Sequence, residues 1–491
     1  MQKIAISGLA AVAAVLGGAA VPTVAMAQPM SAEHPIAAGA SGAVGGGPLS
    51  AAAVRTAEAG AMAKASRMTT AVGRAGLAWR ADLAAAAGGD TAAGGQPLDS
   101  CALTVNCLAV EGSSELIASA SGNSVSAATA TGPLVDAARW NGSSWKGVGV
   151  ALPAGTKVSD LNGLTCRGVN ACLVVGDYAT STSDTAASHA LALIYNGTSL
   201  KPTPAVPLPQ GTLDASLSGV SCVTMSYCVA IGQADGNSAA FGEDGQLALI
   251  ETWNGAKWTL HTAAETSGTS ETQPTAVACA TPAFCALTGE KISVSGSNSS
   301  PTVSFGLYFA DWNGKTLTTM KSAAAGSSAD LVAPVSVSCA TASTCGVTGL
   351  VADLSGSAST ASVGSFTEIW NGSAWQLATT PWPAGTTEAI ALGISCHAAH
   401  LCEAVGADST DPVTATNPSV DAVAVSYNGT TGMLQALTAP AQGDSDLFSG
   451  VSCLPWGTCV AVGDTGKDTA TSPATMTGLW NGTAWRLAAG M

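Results

Sequence analysis

Three kinds of side chain in this sequence could do chemistry: clustered acids, paired cysteines and a few histidines. The acids gather in polar stretches. Asp177 and Asp184 lie in "DYATSTSDTAASH", Asp235, Glu243 and Asp244 in "QADGNSAAFGEDGQ", Asp408 and Asp411 in "ADSTDPVTATNPSVD", and Asp464 and Asp468 follow near the end. Carboxylates interleaved with Ser, Thr and Asn can hydrogen-bond sugars or protein surfaces. Oxygen-rich loops of this kind could also hold calcium, which takes about six to eight oxygen ligands. No D-x-D-x-D pattern recurs, however, and solvated loop acids explain the same residues. Two carboxylates facing each other at about 5–9.5 Å could hydrolyse a glycoside. His397 and His400 in "CHAAHLC" sit within one cysteine loop that no other copy matches, so they read as polar turn residues rather than a metal pair. There is no G-x-S-x-G nucleophile elbow, and no cofactor is expected.

The 14 cysteines fall as Cys101/Cys107, Cys166/Cys172, Cys222/Cys228, Cys279/Cys285, Cys339/Cys345, Cys396/Cys402 and Cys453/Cys459. Every pair is C-x5-C and none is left over. Zinc sites normally use shorter C-x2-4-C spacings with histidines at fixed offsets, and here histidines do not recur with the pairs. Disulfides are therefore expected, which requires an oxidising compartment. The first residues agree: Lys3, an apolar run from Ile4 to Ala20 and "AMAQ" read as an export signal over 1–27, cleaved after Ala27. That run falls short of the ~20 residues that span a bilayer, so a secreted, extracellular protein without stable membrane insertion is expected. The formal charge of −15, with only 17 Lys and Arg, excludes the clustered cations that nucleic acid or anionic lipid would require.

A second mark alternates with the cysteines without omission: an aromatic residue followed by Asn-Gly, at 140, 195, 253, 312, 370, 427 and 480. Each lies 27 to 39 residues after the first cysteine of its pair, and the period is 56 to 65 residues. This is an array of seven units. Within one unit, "SGVSC", "CVAIG", "LALIETW" and "KWTLHT" read as four short strands, the second closing on its glycine. Between 97 and 491 no 3.6-residue apolar period is sustained. The cysteines would flank the turn between the first two strands, where facing Cβ atoms stand about 4.5–5.5 Å apart. Each bridge then removes roughly 2–2.5 kcal/mol of unfolded-chain entropy in the loop-closure model. Asn-Gly would form the turn between strands three and four, because both residues tolerate positive φ. The tryptophans of "WNGAKW" would then face each other across the hairpin. The sixth unit, "YNGTTGML", reads as carrying an insertion. Asn141 and Asn196 also match glycosylation sequons, but Asn254 and Asn313 do not, and the turn accounts for all seven.

Four strands per unit, repeated seven times, predict an all-β fold: a seven-bladed β-propeller over 97–491 built from four-stranded blades. It is preceded by an Ala/Gly-rich spacer over 28–96 that could be helical around 51–87. The order "GVSC…CVAIG…LALIETWNGAKW" resembles the blades of secreted bacterial propellers of the sialidase and Asp-box repeat families. In those families a Gly-x-Thr-Trp turn joins the third and fourth strands. Here Asn-Gly replaces the Ser-x-Asp-x-Gly core and the cysteine pair is added, so the resemblance implies the fold and not an activity. Arg139, Arg167 and Arg486 do not form the arginine cluster that a sialidase-like site needs.

Propeller topology places the near-invariant cysteine and Asn-Gly turns on one rim and the variable loops on the other. Binding residues concentrate on loops that a rigid scaffold leaves free to vary. The expected site is therefore the variable rim, with Asp177, Asp235, Glu243, Asp244, Asp408, Asp411, Asp464 and Asp468 as ligand-binding candidates. The reading that follows is a monomeric, non-catalytic propeller that recognises extracellular glycan or protein. The alternative is an extracellular carbohydrate-active hydrolase or lyase with acids at the propeller centre.

Overall fold

A computed structural model describes residues 98–103, 106–112, 135–140, 145–181, 186–236, 238, 241, 246–262, 270–297, 300–324, 331–353, 362–410, 420–437, 444–467 and 474–489. The export signal, the spacer and Glu243, Asp244, Asp411 and Asp468 lie outside these residues, as does Asp184. Among the described residues there is no α-helix, and every repeat unit forms its own antiparallel meander. The chain is an all-β propeller.

The first strand of each unit lies innermost. These inner strands are Leu98–Leu103, Val158–Gly168, Thr212–Thr224, Ser270–Thr281, Leu331–Thr341, Glu388–Ala398 and Asp444–Cys453, and each packs against the next around the axis. The circle closes because Leu98–Leu103 contacts both Val158–Gly168 and Asp444–Cys453. Trp140 of the first sheet packs on Val460 and Leu479 of the last across that seam. Among the described residues no strand pairing joins the ends: the first strand pairs only with its own neighbour, Asn106–Gly112.

Six sheets have four strands, and the expectation of seven such blades needs correction at the second unit, whose sheet has five. The extra strand, Gly149–Val150, belongs to the segment leaving the first unit and lies parallel to Ser199–Pro202. The same device recurs as single bridges, Thr379 to Thr431 and Leu437 to Trp485. These three departing segments lean on the outer strand of the following sheet, and among the described residues only Gly149–Val150 pairs long enough to form a strand.

The glycine of "CVAIG" does not close the second strand, which in the third unit runs on from Tyr227 to Gly236. It answers a β-bulge in the inner strand. Pairing shifts between Leu161 and Gly163, between Leu217 and Gly219, and at matching positions in four more sheets. The bulge drives an inner-strand carbonyl against the second strand: a methyl group at Gly232 would sit 2.0 Å from the Ser216 carbonyl oxygen. At Gly176 and Gly406 the same clearance is 1.9 Å. Only a residue without Cβ fits.

All six cysteine pairs with described side chains are bonded within their own sheet: Cys166–Cys172, Cys222–Cys228, Cys279–Cys285, Cys339–Cys345, Cys396–Cys402 and Cys453–Cys459. Cys101 and Cys107 stand in register, but their side chains lie outside the described residues. These bridges close the turn between the first two strands as expected, and they are also buried. Cys172, Cys228, Cys285, Cys345, Cys402 and Cys459 are at most 2% exposed. The second strand is paired on both sides, so its cysteine also stands in register with the aromatic of the third strand. Cys172 faces Tyr195, Cys228 faces Trp253 and Cys345 faces Trp370. Their sulfurs fill the gap between sheets: Cys172 packs in the core with Leu200, Cys228 with Trp258, and Cys345 with Trp375. Each bridge is thus a piece of the apolar core as well as a loop closure.

The serine before the first cysteine is explained by the neighbouring sheet. Ser221, Ser338 and Ser395 each accept, through Oγ, the backbone N–H of the next unit's first cysteine, at 2.9 Å to Cys279, Cys396 and Cys453.

The Asn-Gly turns form as expected, for a different reason. Gly197, Gly255, Gly314, Gly372 and Gly482 have positive φ, whereas the preceding asparagines do not. Asn254 instead turns its Oδ1 back to accept the N–H groups of Ala256 and Lys257 at 3.0 and 2.9 Å, an Asx-turn. Trp253 and Trp258 pair across the hairpin at 5.2 Å between ring centroids. In the sixth unit the expected insertion is a tighter turn, with Asn428 opposite Thr431.

Replacing Gly232 with Ala should lower the thermal midpoint of the oxidised protein, as expected for overpacking of roughly 1–3 kcal/mol. Gly147→Ala, where no atom lies within 4 Å of the new methyl, should leave it nearly unchanged. Equal midpoints for the two variants would remove the bulge from the account.

Candidate functional site

The structure places Asp177, Asp235, Asp408 and Asp464 on second strands, not in loops. The sequence reading ended those strands at the glycine, whereas the strands continue past it. Asp177 and Asp464 follow their glycines directly, and Asp408 and Asp235 come two and three residues later. All four sit toward the rim opposite the cysteines.

The residue after each glycine faces the inner strand in register, which allows comparison around the ring. The pairs are Asp160 with Asp177, Ser216 with Gln233, and Gln273 with Glu290 in sheets two to four. In sheets five to seven they are Ala333 with Leu350, Ile390 with Ala407, and Leu447 with Asp464. One arc of a symmetric scaffold is therefore polar on both strands, and the opposite arc is mostly apolar.

The best-developed cluster lies where the inner strands of sheets two and three meet. Ser216 Oγ donates to Asp177 Oδ1 at 2.8 Å. Asn162, the unpaired residue of the bulge, donates from Nδ2 to the Leu217 carbonyl at 3.0 Å and lies 3.5 Å from Asp177 Oδ1 and from Ser216 Oγ. Burial pushes the Asp177 carboxyl up to about 7; the neighbouring Asp160 adds to the rise, and Ser216 and Asn162 oppose it. Asp160 is itself raised by burial. Directly opposed residues of an antiparallel pair have Cβ atoms about 4.5–5.5 Å apart, so a charge on Asp160 disfavours ionisation of Asp177. The donors that converge on Asp177 favour its ionised form and so work against the rise that burial causes.

The other acids have different surroundings. Asp235 faces Asp214, whose Oδ1 accepts the Ser188 N–H at 3.0 Å. Asp408 is buried and accepts the Thr386 hydroxyl at 2.6 Å, which fixes the Pro-Ala-Gly-Thr turn leading into the inner strand. Burial raises its pKa, the Thr386 bond opposes that rise, and Asp421 opposite adds to it. The side chain of Asp464 lies outside the described residues. Sequence reasoning missed Asp160, Asn162 and Ser216. Their signal was a fixed offset: Asp160 and Ser216 each stand six residues before the first cysteine of their unit, the position of Gln273 in the next.

Two further carboxylates occupy one repeat position on third strands, two residues before the Asn-Gly aromatic. Glu368 accepts hydrogen bonds from Ser322 Oγ and from the Ala323 and Ala324 N–H groups of the segment entering its sheet. Glu251 is equally buried, yet neither oxygen has a partner, and burial pushes its pKa up to about 8. It therefore keeps its proton in the folded state.

No family model matches the chain, and no curated protein matches it in sequence. Among solved structures it is similar to a Penicillium chrysogenum α-L-arabinanase, at 11% identity over 68% of this chain and 92% of that one, with a TM-score of 0.37. An ulvan lyase of polysaccharide lyase family PL25 is similar at 9% identity over 70% and 80%, TM-score 0.40. An α-L-arabinofuranosidase of Fusarium graminearum is similar at 12% identity over 67% and 91%, TM-score 0.36. Superpositions this loose carry no chemistry across; the residues of this chain must supply it.

Glu251 gives a signed pH prediction. The unfolded chain releases this proton near the ordinary glutamate value of 4.5, the folded chain only near 8. Stability at this site is thus lost as pH rises through that window. Glu251→Gln should flatten the decline in thermal midpoint between pH 5 and about 8. A decline as steep as in the parent would mean that Glu251 is not the group responsible.

Proposed function

We propose that this protein is an extracellular carbohydrate-active propeller whose reaction centre is the Asp160–Asp177 pair. The observation that carries the reading is Asp177 itself: a carboxyl whose pKa burial raises to about 7, opposite a second carboxyl on the inner strand. A general acid works best when its pKa lies near the working pH. Asp177 would protonate the leaving glycosidic oxygen, and Asp160 would face the positive charge developing at the anomeric carbon. Ser216, Gln233, Gln273 and Glu290 continue the polar arc on the neighbouring sheets and suit hydrogen bonding to sugar hydroxyls. The disulfides fit a location outside the reducing cytoplasm.

A second reading keeps the same surface without turnover. Both Asn162 and Ser216 already engage Asp177, as they would if the pair only set the shape of a glycan- or protein-binding arc.

The test is turnover of neutral and uronic-acid polysaccharides, followed by release of reducing or unsaturated ends. Asp177→Asn should lower kcat/KM by about 10²-fold or more while glycan binding persists. In the parent, the rate should fall as pH rises above about 7, where Asp177 loses its proton. Binding without turnover, lost in Gln233→Ala and Gln273→Ala, would establish the second reading. Turnover unaffected by Asp177→Asn would move the reaction centre elsewhere.

A further inference from the structure

The residue that follows the first cysteine of a unit leans across to the next unit's cysteine turn. The Arg167 guanidinium Nε donates to the Cys222 carbonyl. Val223 packs against the core cluster that contains Cys279 and Cys285, and Ala340 against the one that contains Cys396 and Cys402. In the sixth unit this position is His397, and the seventh unit's cysteines are Cys453 and Cys459. A ring nitrogen of His397 and the two sulfurs all lie within 4.8 Å of one another, the sole His/Cys/Asp/Glu group so arranged among the described residues.

Two further features mark this contact. The Nδ1 of His397 is buried without a hydrogen-bond partner. The facing turn, Leu454-Pro455-Trp456-Gly457, is also built unlike the others. Gly457 takes a positive φ of 82° and its N–H bonds back to the Leu454 carbonyl at 2.8 Å. A methyl group at Gly457 would stand 3.5 Å from His397 Nε2, so this turn lies directly against the ring.

From this juxtaposition we infer that His397, Cys453 and Cys459 form a latent soft-metal site, closed while the disulfide is intact and opened by its reduction. Two thiolates and one imidazole are a common ligand set for zinc, at about 2.3 Å to sulfur and 2.0 Å to nitrogen, with a fourth position for water. Freed sulfurs need only part to about 3.8 Å to bind one tetrahedral ion at those bond lengths. A dithiol reductant supplies the two electrons and two protons by thiol–disulfide exchange and leaves as its own disulfide; the metal then displaces a proton from each of the two protein thiols. The same three ligands are present in the chain before its disulfides form.

The test uses the full chain reduced by a water-soluble phosphine, which takes up the oxygen of one water as phosphine oxide and leaves two thiols per bridge. The other cysteine pairs are changed to serine so that only Cys453 and Cys459 titrate. Cobalt(II) should give one equivalent of tetrahedral binding with a thiolate charge-transfer band, and zinc should displace it. His397→Ala should weaken binding by about tenfold or more and shift the ligand-field bands. Because the serine changes could unfold the chain, a second variant keeps every cysteine. Ala340→His, which places an imidazole against Cys396 and Cys402, should add a second tetrahedral equivalent to the reduced protein. Cobalt binding that is unchanged in His397→Ala, no thiolate band in the reduced chain, or no gain from Ala340→His would overturn the inference.

Discussion

The crowding of inner strands around the axis governs this fold. Among the described residues, six of the seven inner strands carry a bulge that presses a carbonyl onto the neighbouring strand, and the glycine four residues after the second cysteine is the answer to it. Between sheets the approach is nearly as close: a methyl at Gly163 would meet the Gly219 Cα at 2.9 Å, and one at Gly393 the Gly450 Cα at 3.2 Å. Small residues at the centre let the sheets converge, and the larger residues farther out, Trp, Leu and Val, fill the widening gaps. Much of the repeat pattern follows from that taper.

The same taper determines where chemistry can arise. A bulge leaves one inner-strand residue outside the ladder, free to serve the junction between two sheets. In the third unit Ser218 donates to the Pro274 carbonyl of the next sheet at 2.7 Å. In the second, the bulged residue is Asn162, and the positions around it hold Asp160 and, across the junction, Ser216. A structural position has thus become a polar cluster by changes of side chain alone. Because the repeats are otherwise alike, a reactive site here is a break in symmetry rather than an added element.

Buried carboxyls illustrate how context decides a role. Glu368 and Glu251 share a repeat position, but one is met by a hydroxyl and two backbone N–H groups and the other by none. Glu403 is raised to about 7 by burial, partly offset by a hydrogen bond from Ser426 Oγ at 2.6 Å. It faces Ser395, which holds the Cys453 N–H. An acid at a sheet–sheet junction is therefore not a functional residue by that fact alone. Asp177 differs from these glutamates because Asp160 opposes it and Ser216 and Asn162 reach it at the junction.

The sequence by itself determined the repeat, the four-strand order of each unit, the disulfide pairing and the hairpin tryptophans. These depend on residues near in the chain, where turn chemistry and spacing act without help from distant segments. Asn254 and Gly255 specify their turn whichever sheet surrounds them, although the asparagine acts through its side chain and not through its φ. The tertiary structure decided what depends on residues in neighbouring sheets, such as Ser216 and Asp177, which stand 39 positions apart. It carried the second strands past their glycines and so moved Asp177, Asp235, Asp408 and Asp464 from loops to strands. It sank Cys172, Cys228 and Cys345 into the core, because the sheets close over the second strand. It added Gly149–Val150 to the second sheet. It brought Ser216 to Asp177 and His397 to Cys453 and Cys459. No local pattern encodes such contacts, because each is made between repeats, and the distance between repeats is set by how closely the inner strands pack.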